Sequence, residues 1–431
     1  MPDLTEKLYS ALVDDDEDHG QGDLPESMLR EVPGNAARLV GGFTLQKLGD
    51  RIADPKTVLT WMLTGLGAPG FVIAMLVPIR ESGSLLPQAA LVPLVRRFGI
   101  RSRIWAAGAL GQGLAVAAIG LAGVTLNGLG AGLAVLVALA WFALSRAVSS
   151  ITAKDVLGKT IPRGERGKLT GIAASVAGLA AVGAGLALLA FAKELDPAAL
   201  GLLVAGASLL WVAAGAVFLT VDENRSDVHE THPATSLRDS LKVFREDQTF
   251  RRFVMARTLL LVTALSPPFV VTLSAAVSES GISGVGPFVV ATGVAGLVAS
   301  PIWGRFADRS SRLVMSLAAG SGGVVILAYL GLRLAGLDSS SWLGPVTYLV
   351  LAVAHAGARM GRKTYVVDLG TGDQRTRYVA VSNTLIGAIL LLVGLGGALL
   401  TGVGPQWTLV ALALAGLIGA IVAARLPEIH D

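Results

Sequence analysis

The sequence predicts an all-α polytopic membrane protein, with twelve transmembrane helices arranged as two pseudo-symmetric six-helix bundles. Three observations carry this expectation. Of the 431 residues, 53% are hydrophobic and 15% are charged, with a mean hydropathy of +0.64, whereas soluble domains are about a quarter charged. Apolar runs of about 20 residues, the length that crosses a bilayer as a helix, recur along the chain. One polar loop is also written twice. "WFALSRAVSSITAKDVLG", Trp141 to Gly158, carries Arg146 and Asp155, and "VAHAGARMGRKTYVVDLG", Val353 to Gly370, carries Arg359 and Asp368, each 213 positions later.

Lipid offers no partner to a bare backbone amide, so a spanning segment is either a helix or a strand of a closed barrel. The runs here are continuous rather than alternating, which leaves helices. In chain order, Met1 to Pro33 holds ten acidic residues against Lys7 and Arg30, including "DDDEDHG" from Asp14 to Gly20. Residues 1–33 therefore read as a disordered, solvated cytoplasmic tail, in which Asp14, Asp15, Asp16 and His19 are better explained by solvation than by metal binding. The tail has no apolar h-region, so no signal peptide is expected and the first span is expected to act as its own signal. Apolar runs place spans one to six around Asp50, Gly83, Leu114, Leu139, Ala181 and Leu209, an N-terminal bundle over residues 34–220. The longest polar connection, Val221 to Phe250, forms a cytoplasmic linker over 221–250. Spans seven to twelve follow around Ala264, Thr292, Gly323, Ala352, Leu391 and Leu414, a C-terminal bundle over 251–426 with a short tail at 427–431. The same offset of 213 links Arg38 to Arg251, Pro55 to Pro268 and Arg96 to Arg309, so the second bundle reads as a copy of the first.

Charge sets the orientation. Removing the tail's net −8 from the chain's +4 leaves about +12 on the membrane part. Lys and Arg crowd the loops of one side, among them Arg96, Arg97, Arg101 and Arg103, and later Arg359, Arg362, Lys363, Arg375 and Arg377, while the other side holds Lys193 and Arg333. The positive-inside rule then places both termini in the cytoplasm, in a plasma (inner) membrane of bacterial or archaeal type. Trp61, Trp105, Trp303, Trp342 and Trp407 fall near span ends, where interfacial anchors are expected. There is no cysteine, which excludes disulfides and thiolate metal sites.

A charge inside a span costs roughly 2.5 to 3.5 kcal/mol on insertion scales, so each one needs a reason. In span one, "LQKLGDRIADPK" spaces Lys47, Asp50, Arg51 and Asp54 at i, i+3, i+4 and i+7, which puts all four on one helical face, beside Gln46. In span two, "IRESGSLLPQ" supplies Arg80, Glu81 and Gln88. Asp50 with Arg80 and Arg51 with Glu81 are the expected cross-helix pairs. A buried carboxylate beside an arginine can change its proton affinity as a cavity opens to one side or the other, so Asp50 and Glu81 are the proton-coupling candidates. The competing reading is a permanent ion-pair lock between the two helices. Arg257 in span seven and His355 in span ten are further cavity candidates, although a lone His is more often a hydrogen-bonded packing residue. "ALSPPFVV", Ala264 to Val271, should break span seven near mid-depth. Arg146, Asp155, Arg359 and Asp368, read as lying near the cytoplasmic ends, point to gating or topology ahead of binding of an anionic solute.

"GRFADRSSR", Gly304 to Arg312, resembles the loop signature G-x-x-x-D-R-x-G-R of the major facilitator superfamily. Gly304, Asp308, Arg309 and Arg312 match, and Ser311 stands where the family has Gly. The equivalent first-half loop, "PLVRRFGIRSR", departs further, with Arg96 or Val95 at the place of the family Asp. The resemblance covers the membrane region from about Asn35 to Arg425. It implies secondary transport by alternating access, with the loop's charges in a cytoplasmic gating network. Independently of the family, charges at a helix end that pair across the halves only when that side is closed form a two-state latch. Arg96, Arg97, Asp308, Arg309 and Arg312 are its candidates.

The chain has no H-E-x-x-H, G-x-S-x-G or G-x-x-x-x-G-K-[ST], so neither an enzyme nor an ATP-driven pump is expected, and no catalytic residue, metal or cofactor is called. The expected function is movement of a small solute between two bundles that rock about a midplane site, driven by protons. The alternative is a lipid or amphiphile flippase of the same fold. The expected partners are the bilayer, a small-molecule or amphiphilic substrate and protons, with no nucleic acid, for a chain acting as a monomer.

Overall fold

The computed structural model describes residues 9, 24–162, 165–191, 197–225, 237–277, 284–307, 309–337, 341–369 and 372–428. Asp308 and the tail residues Asp14, Asp15, Asp16 and His19 lie outside the described residues, as does the side chain of Arg96. Among the described residues all regular structure is helical, and there is no strand.

Span one is Val32–Ile52 followed by Val58–Gly65. The helix is interrupted at Ala53–Thr57, where Pro55 cannot donate to the ladder, the Asp54 carboxylate accepts the Lys56 N–H at 2.8 Å and Pro55 O accepts the Thr60 hydroxyl at 2.7 Å. Span seven breaks at the position related by the 213-residue offset, as Gln248–Leu259, Val262–Leu265 and Pro267–Ala275. Pro267 opens the last piece, where its missing N–H is no loss, and Ser266 Oγ bonds Val262 O at 2.6 Å. The double-proline break expected in this helix is therefore present. Span two runs through Gly70–Leu85 and Gln88–Arg96. Spans three to six are Arg101–Thr125, Gly128–Thr160, Glu165–Phe191 and Pro197–Leu219. Spans eight to twelve are Gly286–Ala307, Ser311–Leu334, Leu343–Asp368, Gly372–Leu400 and Pro405–Ala424.

Nine of these spans, counted among the described residues, are long and apolar enough to cross a membrane. The helices standing at spans one, two and ten are not among the nine, and all three contribute charged residues to the central cavity. Large apolar side chains such as Leu114, Val137, Leu209, Leu392 and Leu399 point outward and are exposed, as a surface bathed in lipid requires.

With no hydrophobic drive between helices in lipid, association depends on close backbone approach through small residues. In the first half, a Cβ on Gly120 of span three would lie 2.4 Å from the backbone N of Ala205 in span six. Between the halves, a Cβ on Gly293 of span eight would lie 2.7 Å from Gly178 O in span five. Spans two and eleven make the second cross-half seam, with Ser82 Oγ donating to Gly387 O at 2.8 Å.

At the end where the termini lie, charged residues clamp each half to itself. Glu223 accepts the Arg101 and Ser102 N–H groups of span three at 3.1 and 2.8 Å and pairs with Lys159 of span four at 2.7 Å. This satisfies orphan donors at a helix start. Arg38 meets Asp222 at 2.5 Å, and Arg101 meets Asp155 at 3.6 Å. In the second half Arg312 pairs with Glu428 and donates to Leu426 O at 3.0 Å, and Tyr378 bonds Asp247.

Two sequence expectations change here, on the tryptophans and on the acidic tail. Trp61, Trp105 and Trp303 are buried rather than interfacial. Trp105 stacks on Phe218 with ring centroids 3.4 Å apart, and the Trp303 indole donates to Val353 O at 2.8 Å. Trp342 and Trp407 are exposed. The acidic tail is packed from Leu24 onward, with Leu24, Met28 and Val32 buried beside Phe43 and Trp105 and with Tyr9 bonded to Glu165. The linker contains a helix, Leu237–Glu246.

Candidate functional site

A cavity of about 780 Å³ lies between the halves. Span one lines it with Lys47, Asp50, Arg51 and Asp54, and the break at Pro55 turns Lys56 toward it. The i, i+3, i+4, i+7 face expected from sequence is thus one wall. Span two adds Arg80, Glu81 and Ser84, and span four adds Arg146. The opposite wall is Thr263 and Pro267 at the break in span seven, Thr292 and Ser300 in span eight, and Tyr348, His355, Arg359 and Lys363 in span ten.

Asp50 is the hub of the first-half wall. One carboxylate oxygen takes Arg80 at 3.1 Å and the other takes Arg146 at 2.9 Å, so spans one, two and four are tied by one group. Arg146 reaches on to Gln112 Oε1 at 3.4 Å, and Gln112 donates to Ser149 Oγ at 3.0 Å. Arg80 lies over the Phe142 ring, 5.5 Å from its centroid, a cation–π contact that also orients the guanidinium. The expected pair of Asp50 and Arg80 forms, while that of Arg51 and Glu81 does not. Arg51 instead points across the interface to Thr292 O at 3.4 Å, and Glu81 keeps Arg80 at 3.9 Å. Glu81 has 34% of its side chain exposed, against 15% for Asp50.

Sequence placed Arg146 and Arg359 near the cytoplasmic ends, but both line the cavity. Their helices are long, and the charges sit deep within Gly128–Thr160 and Leu343–Asp368 rather than at the ends. Asp155 pairs with Arg101, Asp368 is the last residue of the span-ten helix, and Arg97 and Arg309 are exposed at turns. Of the other cavity candidates, His355 is in the lining, its Nδ1 3.2 Å from the Thr263 hydroxyl. Gln46 is buried with Nε2 unpartnered, and Gln88 donates to Ser84 O at 2.8 Å. Arg257 is buried behind the wall, donating to Ser382 Oγ at 2.7 Å and Asn383 Oδ1 at 3.0 Å.

Sequence reasoning missed Lys56, Thr263, Thr292 and Tyr348 as lining residues and read Lys363 only as a topology signal. Lys363 follows Arg359 by four positions, which places the two on one helix face and could have been read. The other four depend on helix breaks and on packing between halves, which carry no local pattern.

The cavity is closed at the end away from the termini. Trp61 of span one meets Phe288 of span eight with centroids 6.0 Å apart, and Phe288 meets Tyr348 of span ten edge-on at 5.7 Å. In the same region a Cβ on Gly70 would lie 3.1 Å from Thr401 Cβ, joining spans two and eleven. Toward the termini the cavity continues past Lys363, Thr364, Ala174 and Ser300.

No protein-family model and no curated relative matches the chain. Solved structures do. A POT family transporter in complex with a thioalcohol-conjugated peptide matches at TM-score 0.70 and 10% identity, over 93% of this chain and 97% of that one. A D-xylose-proton symporter matches at TM-score 0.67 and 12% identity, over 91% and 98%. The xylose transporter XylE from E. coli, in an inward-open conformation, matches at TM-score 0.64 and 12% identity, over 91% and 96%. At such identities the likeness shows the fold alone, which this chain shares with those transporters.

Proposed function

We propose that the chain is a secondary transporter that carries a small solute through the central cavity by alternating access, with protons as the coupling ion. The observation that carries this reading is the cavity itself, lined by both halves, closed at one end by Trp61, Phe288 and Tyr348 and continuing toward the other. Two similar six-helix bundles meeting at such a site are the arrangement in which rocking of one half on the other exposes the site to each side in turn. The likeness to a D-xylose-proton symporter supports the proton as coupling ion. Both termini are cytoplasmic in this reading, and the structure is the inward-facing state. Glu81 is the coupling carboxylate, because it faces the cavity with Arg80 alone within 4.0 Å, at 3.9 Å, whereas both Asp50 oxygens are held in shorter ion pairs. The gating role of the Asp308, Arg309 and Arg312 loop belongs to the outward-facing state, in which the termini end closes. The charged lining gives no support to a flippase.

A disulfide tests alternating access, because the chain has no other cysteine. Gly70→Cys with Thr401→Cys joins spans two and eleven at the closed end, where the Cβ positions fall close enough to bridge. Oxidation should reduce solute-dependent proton movement, read with a pH dye inside reconstituted vesicles, to the level of empty vesicles, and a reductant should restore it. Full activity in the oxidised, fully cross-linked protein would exclude the mechanism.

Orientation has its own check. Asn127 and Arg225 are both exposed, at opposite ends of the bundle. A membrane-impermeant thiol reagent applied to intact cells should label Asn127→Cys and leave Arg225→Cys unlabelled. The reverse pattern would invert the topology.

A further inference from the structure

The cavity is unbalanced in charge. Seven cationic side chains line it against three carboxylates, Asp50, Asp54 and Glu81. Arg80 and Arg146 are answered by Asp50. Among the described residues, Lys47, Arg51, Lys56, Arg359 and Lys363 have no carboxylate within 4.0 Å. Uncompensated charge buried in a membrane protein is costly and marks a substrate path by default.

The duplication shows where the missing counter-charge belongs. Arg146 and Arg359 are repeat mates, 213 positions apart, and both reach the cavity. The partner of Arg146 is Asp50, and the residue 213 positions after Asp50 is Thr263, a neutral residue of the lining whose hydroxyl donates to Leu260 O at 3.0 Å. In the first half the protein supplies the anion. In the second half the matching position carries no charge and its hydroxyl meets His355 Nδ1 at 3.2 Å, with Arg359 and then Lys363 following His355 at successive helical turns of the same face.

From this the geometry points to a small organic anion bearing carboxylate or phosphate groups as the solute, with Arg359 and Lys363 holding the negative group where Thr263 replaces the repeat's aspartate. A cavity of about 780 Å³ is in the range of small-molecule sites, and guanidinium binds either oxyanion in bidentate fashion. The inference rests on the transport reading, so its test separates the two.

The full chain is purified in an uncharged detergent free of anionic lipid, and its thermal midpoint is followed against succinate, citrate, inorganic phosphate and glucose 6-phosphate, with xylose and dialanine as uncharged or zwitterionic controls. At least one anion should raise the midpoint in a saturable way, and the controls should not. Arg359→Gln should weaken that anion's affinity by about tenfold or more, the loss expected for a charge-assisted hydrogen bond. Thr263→Asp, which rebuilds the internal counter-charge, should remove the anion's effect while leaving a cooperative midpoint. If Thr263→Asp fails to fold, the Arg359→Gln affinity decides alone. No stabilising anion, or equal affinity in Arg359→Gln, overturns the proposal, and so does an Arg359-dependent shift produced only by added phosphatidylglycerol. Exchange of labelled solute in vesicles then separates the readings. Anions that bind but do not exchange leave the anion site standing and refute transport, whereas exchange of xylose or dialanine without anion binding does the reverse.

Discussion

Asp50→Asn is expected to destabilise the folded protein by about 3–5 kcal/mol, the cost of leaving buried charges without their partner. The size follows from the geometry. Asp50 accepts Arg80 at 3.1 Å and Arg146 at 2.9 Å, with 15% of its own side chain and 20% and 29% of theirs exposed, so one substitution leaves Arg146 without a carboxylate and Arg80 with only the 3.9 Å contact to Glu81. Three helices lose their common tie at the same time. The check is the thermal midpoint and the yield of monodisperse protein in detergent, compared with Asp50→Asn combined with Arg146→Gln. Removing the second charge should recover part of the loss, because the triad then has one unmatched cation fewer. A single variant as stable as the parent would refute the lock and return Asp50 to the coupling candidates.

Glu81→Gln should have the opposite profile. Its side chain is 34% exposed to the cavity and its one ion-pair contact, to Arg80 at 3.9 Å, is long, so little packing is lost. What disappears is the group assigned to carry the proton. Accumulation driven by a pH gradient should fall to that of empty vesicles, while exchange of labelled for unlabelled solute continues, because exchange needs no net proton movement. Thermal stability measured on the same preparation separates this from a folding defect. Gradient-driven uptake with the parent's pH dependence in a stable Glu81→Gln protein would exclude the assignment.

The two carboxylates were indistinguishable in sequence. Both lie in apolar spans, and both have an arginine within reach of an adjacent helix. What separates them is Arg146, which arrives from span four, 96 positions beyond Asp50, at a depth that hydropathy could not set. The same holds for Arg51, whose partner Thr292 O lies across the interface.

Legible in the sequence were the helical class, the duplication, the double-proline break of span seven, and the charged face of Lys47, Asp50, Arg51 and Asp54. These depend on local physics: the absence of water in the bilayer, the missing proline N–H, and the period of the helix. Packing between distant helices set which charges share one cavity, that Asp50 serves two arginines, that Arg359 lies on the same wall as Thr263 with no carboxylate within 4.0 Å, and that Trp61 and Phe288 seal one end. Those facts come from how helices of opposite halves approach through Gly178, Gly293 and Gly387. Such packing is set by shape between residues far apart in the chain, and no period or motif within one span records it.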